Sequence, residues 1–163
     1  MLVTGRKLPI GIQTFEDIRN DGYLYVDKTA LMWTIANIGK PFFLSRPRRF
    51  GKGLLISTFE VYFKGRRELF TGLAVEELEK KWEEHPVLHL DLNARKYTTP
   101  ADLDAILNQH LERWEAVYGE EKRDRASEER FAYVIRRASE QTGKGVVVLV
   151  DEYDKPLLQA IQN

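Results

Sequence analysis

Pro41-Phe42-Phe43-Leu44-Ser45-Arg46-Pro47-Arg48-Arg49-Phe50-Gly51-Lys52-Gly53-Leu54-Leu55 reads as an apolar strand running into a basic turn, a Gly-Lys pair and an amphipathic helix. Far along the chain, Gly145-Val146-Val147-Val148-Leu149-Val150-Asp151-Glu152-Tyr153 is an apolar strand that ends in two acids. The first stretch suits a polyphosphate. At a helix N-terminus successive backbone N–H groups have no partner within the helix, and the dipole favours negative charge. Gly51 lets the backbone turn tightly there, and Lys52 can place its ammonium on the β and γ oxygens. Leu54, Leu55, Phe59 and Tyr62 give the following helix an apolar face that anchors it. Taken together, the two stretches read as a Walker A loop and a Walker B strand.

Either half alone is a weak signal. A Gly-Lys after several arginines also describes a basic turn between a strand and a helix, and buried parallel strands of Val and Leu commonly end in polar residues. The reading rests on their joint occurrence, in the right order, each at the C-terminal end of a predicted strand. The first half is also incomplete. In the full pattern G-x-x-x-x-G-K-[ST] a hydroxyl follows the lysine and coordinates magnesium. Here Gly53 holds that position, and Arg46 replaces the first glycine.

The expected nucleotide contacts are Arg46, Pro47, Arg48, Arg49, Phe50, Gly51, Lys52, Gly53 and Leu54. Lys52 touches the transferred phosphate, Asp151 holds magnesium through water, and Glu152 polarises the attacking water as general base. The implied cofactors are ATP and Mg²⁺, the latter weakened by Gly53. Arg46, Arg48 and Arg49 could fork onto phosphate oxygens. They serve equally as a solvated basic turn or as a nucleic-acid contact. Asp154 and Lys155 are expected to pair with neighbours across a loop. The segment from Tyr25 to Thr34 lies where related ATPases cover the adenine base.

The 163 residues, 43% of them hydrophobic, suffice for one domain with a sizeable core, so residues 1–163 are read as a single nucleotide-binding domain. The 25 basic and 25 acidic side chains balance, so no global field draws the chain to nucleic acid or an acidic membrane. The chain has no cysteine, which excludes disulfides and thiolate metal sites. Met1 to Phe15 lacks the apolar run of a signal peptide, and no stretch approaches the ~20 apolar residues of a membrane span. A cytoplasmic protein is expected. His85 and His89 straddle Pro86 and His110 sits in an amphipathic helix, so packing is the expected role for all three rather than metal ligation. Trp33, Trp82 and Trp114 read as anchors on helix faces.

Periodicity predicts a short strand over Tyr23–Asp27, a helix over Lys28–Ile38, a strand over Phe42–Ser45 and a helix over Lys52–Phe63 closed by Gly65. Beyond these come a charged helix over Val75–Glu84, a strand over Val87–Leu92, and a long helix opened by Thr99-Pro100 and running to Tyr118. A helix over Ser127–Thr142 then leads into the strand from Val146. Strands alternating with helices predict an α/β fold: a three-layer parallel sheet with helices on both faces, of the P-loop NTPase kind. In ATPases whose Walker B strand carries an adjacent Glu, the next strand inserts between the Walker B and Walker A strands. No residue after Pro156 can supply it. The sheet is therefore expected to be the N-terminal part of a domain, its gap filled by another segment or by self-association.

Ile10-Gly11-Ile12-Gln13 with Phe15, Gly22-Tyr23-Leu24-Tyr25-Val26-Asp27-Lys28-Thr29, Phe43 through Lys52, Pro86-Val87-Leu88-His89-Leu90-Asp91, and Val148 through Leu157 resemble the bacterial AAA-ATPase-like family. The Arg-Pro-Arg-Arg-Phe-Gly-Lys and Asp-Glu-Tyr-Asp-Lys-Pro runs are its specific elements. The resemblance implies a P-loop NTPase domain, often fused to a C-terminal domain similar to PD-(D/E)XK nucleases. The family usually has Ser after the Gly-Lys, and Gly53 departs from that. Three functions follow as expectations: an ATPase with hydrolysis impaired by Gly53, a non-hydrolysing nucleotide sensor or scaffold, and a nucleic-acid-binding module using Arg46 to Arg49 and Lys64 to Arg67.

Overall fold

The computed structural model describes residues 5–45, 50–93, 97–120 and 125–156. The chain divides into two compact units, Met1–Glu84 and His85–Asn163. The fold is α/β, and its strands lie in the second unit.

Among the described residues of the first unit, four helices, α1 (Phe15–Asn20), α2 (Thr29–Ala36), α3 (Lys52–Phe63) and α4 (Ala74–Leu78), and a 3-10 turn (Arg67–Phe70) surround an aromatic core. Phe15 and Phe70 are fully buried, with ring centroids 4.9 Å apart. Phe70 also meets Trp82 at 5.3 Å, and Tyr62 meets Trp82 at 5.8 Å. Each fully buried ring contributes roughly 1.5–3 kcal/mol by leaving water. Polar ties between helix ends fix the arrangement. One oxygen of Asp27 accepts from the Thr29 N–H at 2.8 Å and the Thr29 hydroxyl at 2.7 Å. Its other oxygen accepts from the Ala74 N–H at 2.8 Å, so one carboxylate serves the N-termini of both α2 and α4. The Thr29 hydroxyl in turn accepts from the Val75 N–H at 3.0 Å.

Two predicted strands in this unit do not form. Residues 23–27 form no strand; the Tyr23 N–H donates to the Ile18 carbonyl at 3.0 Å and the Leu24 N–H to the Lys7 carbonyl at 2.9 Å. Tyr25 turns instead onto Phe15, with centroids 5.0 Å apart, and Asp27 is used as a helix cap. Residues 42–45 are likewise irregular, with Phe42 and Phe43 53% and 65% exposed. A strand is defined by a hydrogen-bonded neighbour, and an apolar run cannot supply one by itself. The charged helix predicted over Val75–Glu84 stops at Leu78. Glu79 leaves it to accept from the Tyr62 hydroxyl at 2.5 Å, the Trp33 indole at 3.1 Å and the Lys81 N–H at 2.8 Å.

In the second unit β1 (Val87–Asp91) and β2 (Val147–Asp151) pair in parallel, in register from Val87 with Val147 to Asp91 with Asp151. The crossover between them carries α5 (Pro100–Tyr118) and α6 (Ser127–Thr142), as a parallel pair requires. Thr99 and Pro100 open α5 where the sequence places its start. Asp102 accepts the Thr98 and Thr99 N–H groups at 2.8 Å each, closing the first turn. Arg130 of α6 grips Glu115 of α5 with two parallel bonds of 2.8 and 2.7 Å and donates to Asn108 at 2.6 Å. Leu88, Ile106, Val134 and Ala138 are buried. Val148 and Val150, on one face of β2, are each 39% exposed. Among the described residues no helix is long and apolar enough to cross a membrane.

Candidate functional site

The helix predicted to follow the phosphate loop is α3, and it opens at the expected residue. Gly51 takes the N-cap position at φ +78°, in the left-handed region, and its carbonyl accepts from the Leu55 N–H at 3.0 Å. A Cβ at Gly51 would meet no atom within 4 Å, so the backbone angle alone demands glycine. Among the described residues no side chain caps this end. The N–H groups of Lys52, Gly53 and Leu54 therefore precede the first intrahelical bond, which is the arrangement that receives an anion. Ser57 accepts from the Phe15 N–H at 2.9 Å and fastens α3 to α1, while Thr58 bonds back to the Leu54 carbonyl at 2.7 Å. Thr58, Phe59, Val61 and Tyr62 bury the far half of the helix. The N-terminal half, Lys52 to Ser57, is only partly buried. Phe50 is exposed, and Arg46, Pro47, Arg48 and Arg49 lie outside the described residues.

The second predicted element is the end of β2. Asp151 closes the strand, and its carbonyl accepts from the Leu92 N–H at 3.2 Å. One Asp151 carboxylate oxygen accepts from the Glu152 N–H at 2.9 Å. Glu152 itself has φ +53°, and Trp82 is the other non-glycine residue with positive φ among those described. A left-handed glutamate costs roughly 1–2 kcal/mol relative to its ordinary backbone. Such outliers gather at functional sites, where the surrounding structure over-determines them.

Sequence reasoning left the surroundings of this turn unread. Asp91, the register partner of Asp151, ends β1 and accepts from the Asn93 N–H at 2.8 Å. Lys155 reaches back across 62 residues to donate to the Asn93 carbonyl at 2.7 Å and to its side-chain oxygen at 2.9 Å. The expected pairing of Lys155 across a loop is thus met by Asn93. Tyr153 packs on the cluster of Leu92, Tyr97 and Ile106, and the Tyr97 hydroxyl donates to the Leu92 carbonyl at 2.7 Å. The available signal was the Asp-Glu-Tyr-Asp-Lys-Pro run itself. Its apolar Tyr153 and cationic Lys155 follow Asp151 and Glu152 at a spacing suited to a turn.

The remaining candidates sit as packing groups. His110 lies 3.1 Å from the Asp91 carbonyl and His85 lies 2.9 Å from that of Gly145. Trp114 packs between His110 and Phe131. Among the described residues no group of three or more His, Cys, Asp or Glu is disposed to hold a metal ion.

A protein of Azotobacter chroococcum mcd 1, named "Uncharacterized protein in vnfD 5'region", is 43% identical over 154 residues. The alignment takes in 94% of this chain and 30% of that protein, so the chain spans about a third of its curated relative. No solved structure matches the chain. The family model described as "Predicted AAA-ATPase" matches residues 9–163, and the chain belongs to that family.

Proposed function

We propose that this chain is the ATP-binding, P-loop part of an ATPase and that Gly53 impairs its hydrolysis. The observation that carries the proposal is the left-handed Gly51 opening α3, with no side-chain cap among the described residues and with Lys52 at its first position. That geometry offers free N–H donors and an ammonium to one polyphosphate. Membership of the predicted AAA-ATPase family supports the choice of ATP. In this reading residues 1–163 form one nucleotide-binding domain, whose strands join a three-layer parallel sheet with helices on both faces. Two strands alone are marginal, and the exposed Val148 and Val150 are apolar surface that such a sheet would cover. Another segment of the parent protein or a second copy would supply the cover. A nuclease-like domain in the parent protein belongs to the same proposal.

Within the site Lys52 and the first N–H groups of α3 bind and orient the triphosphate, with Arg46, Arg48 and Arg49 adding forked donors. Asp151 is the residue suited to hold magnesium through water: one of its oxygens accepts from the Glu152 N–H, and no bond to the other is seen among the described residues. Magnesium, when bound, neutralises charge on the β and γ oxygens. Gly53 offers it no side-chain oxygen, so the donor set fits the nucleotide better than the metal. Glu152 is the general base that takes a proton from the attacking water. The same lack of a hydroxyl favours a second reading, a sensor that binds ATP and keeps it.

The experiment is a titration of labelled ATP against the chain and its Lys52→Ala variant, with turnover followed in parallel. Binding that is lost in the variant supports the proposal. Equal binding by both removes the site assignment.

A further inference from the structure

We propose that Lys155 is a positioning residue: its ammonium straps the turn after β1 to the turn after β2 and so holds Glu152 in its left-handed backbone. The consequence for turnover rests on the ATPase reading above. The strap itself requires no nucleotide to be seen.

Glu152 at φ +53° does not hold that conformation by its own preference. Nearby, Asp154 has a carboxylate oxygen that is buried without a hydrogen-bond partner, a second feature that costs free energy in the same turn. Something must offset both. On one side Tyr153 is packed into the apolar cluster of the unit. On the other, Lys155 closes the turn twice. Its N–H donates to the Glu152 carbonyl at 3.0 Å, and its ammonium donates to both acceptors of Asn93 at 2.7 and 2.9 Å.

Asn93 is a fixed anchor, because its own N–H is held by Asp91 at 2.8 Å, and Asp91 is locked in register with Asp151. The path Lys155–Asn93–Asp91 therefore runs beside Glu152–Asp151 and returns to the same pair of strand ends. Lys155 is also the one cation among residues 91–93 and 150–156, a stretch that holds Asp91, Asp151, Glu152 and Asp154. Lysine suits the place because a compact ammonium with three donors can serve a carbonyl and an amide oxygen at once.

The test is amide hydrogen exchange by NMR on the whole chain and its Lys155→Met, Lys155→Arg and Glu152→Gly variants. Lys155→Met should raise exchange at the amides of residues 152 and 155 about tenfold, as loss of a hydrogen bond to a charged group implies. The amides of Leu88 and Leu149 should stay within about twofold, since the strands open separately from the turn. Lys155→Arg should keep most of the protection. In the Glu152→Gly background, where no left-handed strain remains, Lys155→Met should have little effect. Unchanged exchange at 152 and 155, or an equal rise along both strands, would overturn the strap.

The functional arm uses the Gly53→Ser background. There Lys155→Met should lower single-turnover cleavage of ATP about tenfold and leave ATP affinity within about twofold. Full cleavage despite a loosened turn would overturn the positioning role. ATP binding absent from every variant would instead remove the ATPase reading, with exchange still deciding the strap. ATP bound but never cleaved would remove Glu152 as a base and the positioning role with it.

Discussion

Arg130 and Glu115 face each other across α5 and α6 with side chains 7% and 4% exposed, joined by two parallel hydrogen bonds of 2.8 and 2.7 Å. Removing one partner leaves the other charge buried, at a cost of about 3–5 kcal/mol. Glu115→Ala should therefore destabilise the second unit by that amount, read by urea unfolding through Trp114, which lies beside Phe131 at 5.6 Å, in a background where Trp33 and Trp82 are replaced by Phe. The double change Arg130→Met with Glu115→Leu should recover most of the loss, because an apolar pair of similar volume leaves no charge unpaired. A double variant as weak as the single one would show that packing, and not the charge, sets the cost.

Acid should weaken both units through carboxylates held below their ordinary range. For Asp27 and Glu79 burial pushes the pKa up, but hydrogen bonds outweigh it: from Thr29 and Ala74 to Asp27, and chiefly from Tyr62 and Lys81 to Glu79. Asp102 is drawn down to about 2 by the N–H groups and hydroxyls of Thr98 and Thr99. A folded pKa below the unfolded one gives stability that is present above the unfolded value and lost as pH falls through the folded one. For Asp102 that window runs from about pH 4 to about pH 2. Asp102→Ala should be less stable than the parent at neutral pH, with the two stabilities converging toward pH 2 in circular dichroism titrations. Parallel curves over that range would show that the capping carboxylate carries no linked proton.

Gly51 is expected to disfavour a side chain, for reasons of angle and not of space. At φ +78° with nothing within 4 Å of a built Cβ, alanine meets no clash yet sits in a disfavoured backbone region. Gly51→Ala should cost about 1 kcal/mol in the first unit and weaken nucleotide binding further, because the N–H groups of α3 would re-aim. Gly51→Asn, which tolerates the left-handed region, should lose less of both. Thermal unfolding and ATP titration on the same samples separate the two effects.

The long periodic elements are legible in the sequence, and so are the two ends of the candidate site, the start of α3 and the end of β2. α5, α6, β1 and β2 follow from their apolar spacing, and the Thr99-Pro100 start of α5 follows from capping chemistry. α3 begins at Lys52 because Gly51 can take a left-handed angle. The six-residue α1 has two inward side chains, Phe15 and Ile18, too few for a period to show. Residues 42–45 have strand composition, but pairing depends on a neighbour that local sequence does not specify. Glu152 defeats propensity outright. A glutamate gives no sign of a left-handed angle that Tyr153 and Lys155 impose through residues distant in sequence.

Gly53 makes the sharpest test of the proposed site, because it removes one atom group from an otherwise ordered helix start. If the proposed site takes magnesium, a chain without a hydroxyl at this position would offer the ion one protein oxygen fewer and would support hydrolysis less well. Glycine in the first turn also costs about 0.5–1 kcal/mol relative to alanine. The parent chain should bind ATP with little dependence on magnesium and cleave it very slowly. Gly53→Ser should tighten binding in magnesium over binding in chelator and raise cleavage, provided Glu152 is present to orient water. Gly53→Ala controls for helix propensity: it should stabilise α3 without restoring the metal dependence. If affinity in magnesium and in chelator differs equally for Gly53, Ser and Ala at this position, the hydroxyl is not a ligand. The alignment of Arg46 to Gly53 with a phosphate loop would then have to be given up.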